Sequence, residues 1–299
     1  MSQNIRNNKT FLADLGLLYA SAVWGTTFFI VKGVVKHIDP VILCAYRFLL
    51  AAIIVSIFLL ITKRQLFSNL KEGFVLGFFL WAIYISQTIG LVFTSAANAA
   101  FITGLFVAFI PIFSFVFFRI MPSLIQIIAI FIALIGLWLL TGGLNSINKG
   151  DLITIITAIA YALHVLFGDK FVKNNIDPFV LCFQQFLFVS IFSFITAFFF
   201  KLDFAFSTEN VFWIIIYLTL FPTVLAFLIQ LIAQKITSPI KVSLIFALEP
   251  LFGAVFAWTF GKEAFILNSA FGGLLILLAI VISDLEIDLR KLFLKVTTM

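Results

Sequence analysis

Charge is scarce in this chain of 299 residues, with Asp, Glu, Lys and Arg together making up 11% of it. A soluble domain carries roughly a quarter of its residues as charges, so a water-facing globule is excluded. Histidine and cysteine are scarcer still. His37 and His164, Cys44 and Cys182 are the whole supply, and there is no His-Glu-x-x-His, no paired Cys-x-x-Cys and no P-loop. Metal-dependent or ATP-driven chemistry therefore has no anchor, and the chain reads as a non-enzyme with no cofactor and no metal site. Nothing calls for a disulfide, and the two cysteines read as small apolar residues inside spans.

What the chain has in excess is apolar surface: 63% of residues are hydrophobic, 41 are phenylalanine, and the mean hydropathy is +1.22. Apolar runs of bilayer-crossing length recur throughout. They predict spans at 12–35, 40–62, 73–93, 95–118 and 123–142, then 151–172, 178–200, 211–232, 237–260 and 265–284. Helices are expected, because lipid cannot satisfy free backbone groups and no span alternates like a barrel strand. The first run is too long for a signal-peptide core and lacks a small-residue cleavage site, so it is kept as a span.

Residues 32–48 recur 138 positions later as 170–186, with eight of seventeen positions identical, including Asp39-Pro40 and Asp177-Pro178. The chain is thus a tandem duplication, 12–142 and 151–284. Five spans per repeat is an odd number, so the halves enter the membrane in opposite senses about an axis in its plane, with a cavity where they meet. The predicted fold class is an all-α polytopic membrane protein of ten transmembrane helices in two inverted five-helix repeats. Counting Lys and Arg in the connections places twelve on the side of the termini and five on the other. This predicts cytoplasmic termini in the plasma (inner) membrane. The net charge of +6 follows from that bias and from contact with the lipid bilayer, and gives no reason to expect nucleic acid.

An ordered set of motifs runs along this frame: Trp24-Gly25, Arg47 seven residues after Pro40, Ser95-Ala96-Ala97-Asn98-Ala99-Ala100, Glu249-Pro250, and Gly261-Lys262-Glu263. In these residues the chain resembles the EamA branch of the drug/metabolite transporter superfamily over about 12–142 and 151–284. The resemblance implies a ten-helix transporter that moves small metabolites, amino acids among them, by alternating access. Two features depart from it. Arg119-Ile120-Met121-Pro122 stands where a Gly-x-Glu is expected. The distance from Thr94-Ser95 to Pro111 exceeds that from Thr237-Ser238 to Pro250 by four residues, predicting an extra turn and imperfect symmetry near the cavity.

Ionisable groups deep in a span are costly and point to function. Four qualify: Arg47, His164, Lys241 and Glu249. Arg47 reads either as a structural tie or as the receiver of a substrate carboxylate. Glu249 reads as an ion-pair partner or as a proton or cation site. Lys241 either snorkels to the surface or forms an anion-attracting entrance, and His164 is a hydrogen-bonded interior residue or a relay. Lys32, Lys170, Asp14 and Asp284 lie near span ends and read as solvated. Arg47 and Glu249 have similar depth and are expected to pair in one state of a cycle. Uncharged Gln87, Asn98, Gln184, Gln185, Gln230 and Gln234 bridge helices or, with Trp24, Trp81, Tyr84, Tyr161 and Tyr217, line an amphipathic pocket.

Three functions remain open. One is export or exchange of small amphipathic metabolites, with a proton as the candidate coupling ion. Another is import or exchange of a larger cofactor or nucleotide-linked compound. The third is a non-transporting scaffold or receptor. The expected partners are a small-molecule substrate and lipid, and the expected assembly is a monomer or weak homodimer.

Overall fold

The computed structural model describes residues 2–143, 147–205, 209–259 and 265–296. The Gly261-Lys262-Glu263 motif and the Asp284 side chain lie outside the described residues. The first repeat contains α1 (Ser2–Val34), α2 (Pro40–Ile61), α3 (Leu70–Phe93), α4 (Ala96–Gly104), α5 (Phe106–Phe118) and α6 (Leu124–Thr141). The second contains α7 (Lys149–Lys173), α8 (Pro178–Phe199) and α9 (Glu209–Thr219), which continues through a π-helical turn (Leu220–Leu225) into α10 (Ala226–Gln234). It ends with α11 (Pro239–Phe246), α12 (Glu249–Thr259) and α13 (Leu267–Val296). Among the described residues nine helical stretches are long and apolar enough to cross a membrane, and Leu267–Ser283 is a shorter apolar tenth. The chain is therefore all-α with two repeats of five spans.

The duplicated Asp-Pro pairs start α2 and α8. Asp39 Oδ1 accepts the N–H of Val41 at 2.8 Å, and Asp177 Oδ1 that of Phe179 at 2.9 Å, with Pro40 and Pro178 leading the first turn. Proline fits there because the first helical N–H has no partner to lose. Ser95 and Ser238 cap α4 and α11 in the same way, each accepting the N–H three residues on.

Equivalent helices of the two halves pack on each other, α2 on α8 and α6 on α13, as a two-fold axis between repeats requires. Elsewhere the partners exchange: α3, α4 and α5 lie on α7, while α10, α11 and α12 lie on α1. Small residues permit the closest approach. A Cβ on Gly272 of α13 would collide with the backbone of α6 at Gly136 and Leu140.

The last turns of α1, α3, α6, α8 and α12 and the first turns of the helices that follow them gather at one end of the bundle, called here the Lys149 end. The α2–α3, α5–α6, α7–α8 and α10–α11 connections lie at the Arg64 end, with the start of α1 and the end of α13. There Arg64 Nη1 meets Asp177 Oδ2 at 2.6 Å, and Gln184 Nε2 donates to the carbonyls of Leu66 at 2.8 Å and Ser68 at 2.5 Å, all between repeats.

The fourth and ninth spans are each broken, a finding that corrects the expected asymmetry. The α4–α5 break at Leu105 falls ten residues after Ser95, and the α11–α12 break ends at Leu248, ten residues after Ser238. The breaks are therefore symmetric. It is the proline that is displaced: Pro250 sits in the first turn of α12, whereas Pro111 lies inside α5, which stays helical around it.

Candidate functional site

The broken helix α11–α12 brings Glu249 to the middle of the bundle. Pro250 has no N–H to offer the carbonyl one turn back and crowds it, so the helix opens just before Glu249. The loosened end is tied to α1, where Ser21 Oγ donates to the Ile245 carbonyl at 3.1 Å. Glu249, 5% exposed, accepts a 2.9 Å hydrogen bond on Oε1 from the Tyr161 hydroxyl of α7. Phe106, the first residue after the equivalent break in α4–α5, stacks on the Tyr161 ring at 4.2 Å. Both helix breaks thus converge on one tyrosine.

Arg47 of α2 enters from the other side and is 3% exposed. Its Nε donates to Thr223 Oγ1 at 2.6 Å and Nη2 to the Tyr84 hydroxyl at 3.3 Å, and its guanidinium lies 4.5 Å from the Tyr84 ring centroid. Among the described residues no carboxylate lies within ion-pair distance of it. The predicted Arg47–Glu249 pair is therefore absent in this conformation, each group being held by its own hydroxyls.

Thr223 belongs to the π-helical turn, which Pro222 opens by removing a helical donor. The turn anchors two site residues at once, because Trp24 Nε1 donates to the Pro222 carbonyl at 2.6 Å. Phe227, one turn on, is the hub of the aromatic layer, with its centroid 5.0 Å from Trp24, 6.1 Å from Tyr84 and 5.7 Å from His164. Phe246 closes the layer 4.9 Å from Trp24. His164 Nε2 shares a 2.8 Å hydrogen bond with Gln185 Oε1, so the glutamine in the position equivalent to Arg47 has a partner of its own.

Arg47, Glu249, Trp24, Tyr84, Tyr161, His164 and Gln185 therefore share one central layer, and Gln230 lies one turn beyond Phe227, fully buried with both amide atoms unpartnered. The rest of the expected set lies elsewhere. Lys241 is ion-paired: its Nζ meets Asp14 Oδ2 at 2.8 Å near the Arg64 end. Asp14 is accordingly an ion-pair partner and not a merely solvated end. Lys32 likewise donates to the carbonyls of Leu91 at 2.5 Å and Thr94 at 2.8 Å, capping α3. Asn98 faces Asp151 at the Lys149 end, Gln87 reaches Thr103 at 3.3 Å, and Trp81 packs against Phe78 and Phe192 away from the layer. Tyr217 bonds Thr26 at 3.0 Å beside a shallow cleft between α1 and α9. Thr223, Phe227 and Phe246 join the layer without having been singled out. Phe221-Pro222-Thr223, a proline in mid-span, is the sequence signal that marks the first of them.

A cavity of about 530 Å³ lies on the Lys149 side of this layer, lined by residues of α1, α4, α6, α12 and α13 and by none of the layer's own side chains. Gly25, Ala97, Ala100, Pro250 and Gly253 line it, so the Trp24-Gly25 and Glu249-Pro250 pairs each present one residue to the cavity and one to the polar layer.

The model of the EamA-like transporter family matches residues 11–142 and 148–283. An uncharacterized transporter of Archaeoglobus fulgidus is 29% identical over 279 residues, 93% of this chain and 88% of that protein. The uncharacterized transporter YyaM of Bacillus subtilis is 32% identical over 171 residues, 53% of this chain and 56% of its own length. A protein crystal structure with 17% sequence identity superposes with a TM-score of 0.78 over 91% of this chain and 96% of that one.

Proposed function

The chain belongs to the EamA-like transporter family, and on that premise we propose that it is a secondary carrier for small amphipathic metabolites bearing a carboxylate. Amino acids and related compounds are the first class to test, moved by alternating access across the plasma membrane, with export the expected direction. The observation that carries this reading is Arg47: a buried guanidinium with two hydroxyl partners, an aromatic face and, among the described residues, no carboxylate within ion-pair distance. A buried charge without a counter-charge costs several kcal/mol, and cation–π contact offsets about 2 kcal/mol of that. A carboxylate solute supplies the missing partner during each cycle. Trp24, Phe227 and Phe246 offer aromatic surface to its apolar part, and the cavity on the Lys149 side, of a volume that takes small molecules, is the proposed approach to the layer. Glu249, held by Tyr161 alone among the hydrogen bonds described, is the proposed proton or ammonium site.

The test is solute counterflow in liposomes containing the purified protein, run with a labelled metabolite panel with and without a pH gradient. Saturable exchange of one or more carboxylated solutes is expected. Absence of exchange across the whole panel, with folded protein, sinks the carrier reading.

A further inference from the structure

We propose that Thr94 with Asp151, and Thr237 with Asp14, are a matched pair of positioning contacts that dock the two helical hairpin tips alternately. The proposal rests on the carrier reading above and names residues that act at its two ends.

The duplication sets up the pair. Thr94-Ser95 forms the α3–α4 tip at the Lys149 end, and Thr237-Ser238, 143 positions on, forms the α10–α11 tip at the Arg64 end. Each serine caps its helix by accepting the N–H of the third residue on, Asn98 in one tip and Lys241 in the other. An aspartate near the start of the first span of the other repeat meets each hairpin: Asp151 of α7 bonds Thr94 itself, and Asp14 of α1 holds Lys241, one turn after Thr237. Within its own repeat each tip is clamped by a lysine on the threonine carbonyl: Lys32 Nζ on Thr94 at 2.8 Å, and Lys173 Nζ on Thr237 at 3.3 Å. The lysine contacts are intra-repeat and the aspartate contacts inter-repeat, so only the latter change when the halves move against each other.

The two ends are not in the same condition. At the Lys149 end Thr94 Oγ1 donates to Asp151 Oδ1 at 2.5 Å and Asn98 Nδ2 reaches the same oxygen at 3.5 Å, with Asp151 1% exposed. At the Arg64 end Lys241 holds Asp14 Oδ2, but Asp14 Oδ1 and Thr237 Oγ1 are both buried and both without a hydrogen-bond partner among the described residues. The hydroxyl–carboxylate bond made at one end is unmade at the other, where the Thr237 hydroxyl is left over one helical turn from the lysine that holds Asp14. Unpartnered buried atoms of this kind are costly, and inverted repeats change access by exchanging the arrangements of their halves. In the opposite conformation the Thr237 hydroxyl binds Asp14 and Thr94 releases Asp151.

A thiol at Thr154 reports the exchange, because that side chain is fully buried in this conformation against Gly90 of α3, the helix that leads into the first tip. Labelling of Thr154→Cys by a hydrophilic maleimide in nanodiscs is measured in three proteins: the reporter alone, the reporter with Thr94→Val, and the reporter with Thr237→Val. Matching proteins without the reporter give the background from Cys44 and Cys182. Thr94→Val should speed labelling and Thr237→Val should slow it, each by roughly threefold to tenfold, the factor that one hydrogen bond is worth. Thr94→Ser and Thr237→Ser, which keep the hydroxyl, should restore the reporter's rate. Shifts in the same direction, no shift, or failure of serine to restore the rate overturns the proposal. Solute exchange by the parent chain is scored separately. Exchange without opposed labelling shifts sinks the docking pair alone, and absence of exchange sinks the carrier reading.

Discussion

Arg47 and Glu249 carry the chemistry at the scale of single residues, and in this conformation they are held separately. Arg47 is braced by Thr223 and Tyr84, Glu249 by Tyr161. Glu249→Gln keeps the shape and the hydrogen bond from Tyr161 but cannot gain or lose a proton. If Glu249 carries a proton during the cycle, this variant should abolish accumulation driven by a pH gradient while exchange across the membrane continues. Gradient-driven uptake equal to that of the parent, at matched protein level, would remove Glu249 from coupling. The sequence made both residues visible because an ionisable group inside an apolar run stands out at once. Their partners were less legible: Thr223 is one threonine among many until the π-turn aims it, and Asp14 looks like a solvated span end until the fold brings Lys241 to it.

At the scale of elements, the features that make the site are interruptions of helices. The break before Glu249-Pro250 was readable, since proline cannot donate and crowds the preceding turn. The break at Leu105 was not, because no proline marks it, and Pro111 drew attention to the wrong turn. Only the cap at Ser95, set against the cap at Ser238, shows that the two breaks are equivalent. The π-helical turn at Leu220–Leu225 belongs to the same class. It turns Pro222 and Thr223 toward α1 and α2, where Trp24 and Arg47 bind them. Span positions were legible to within a few residues because lipid demands long apolar helices. What lies inside a span, whether a break, a π-turn or a side-chain partner, is decided by tertiary packing that hydropathy does not record.

Across the whole molecule, the inverted repeat places one broken helix from each half against Tyr161 and one hairpin tip at each membrane face. The bias of Lys and Arg toward the Arg64 end predicts that this end is cytoplasmic. Reporter fusions at Lys36 and Lys149 should then read external and those at Lys63 and Lys173 internal; an internal signal at Lys149 would contradict the orientation. The central claim is that the junction of the two repeats receives a solute carboxylate at Arg47. It is tested most directly by counterflow in liposomes of a transported carboxylated solute against its methyl ester, in the parent protein and in Arg47→Gln. A hydrogen bond to a charged group is worth about 1.5–3 kcal/mol, so the parent should prefer the acid by roughly tenfold to a hundredfold and Arg47→Gln should lose that preference. An unchanged preference for the acid in Arg47→Gln, at equal reconstituted protein, would contradict the account.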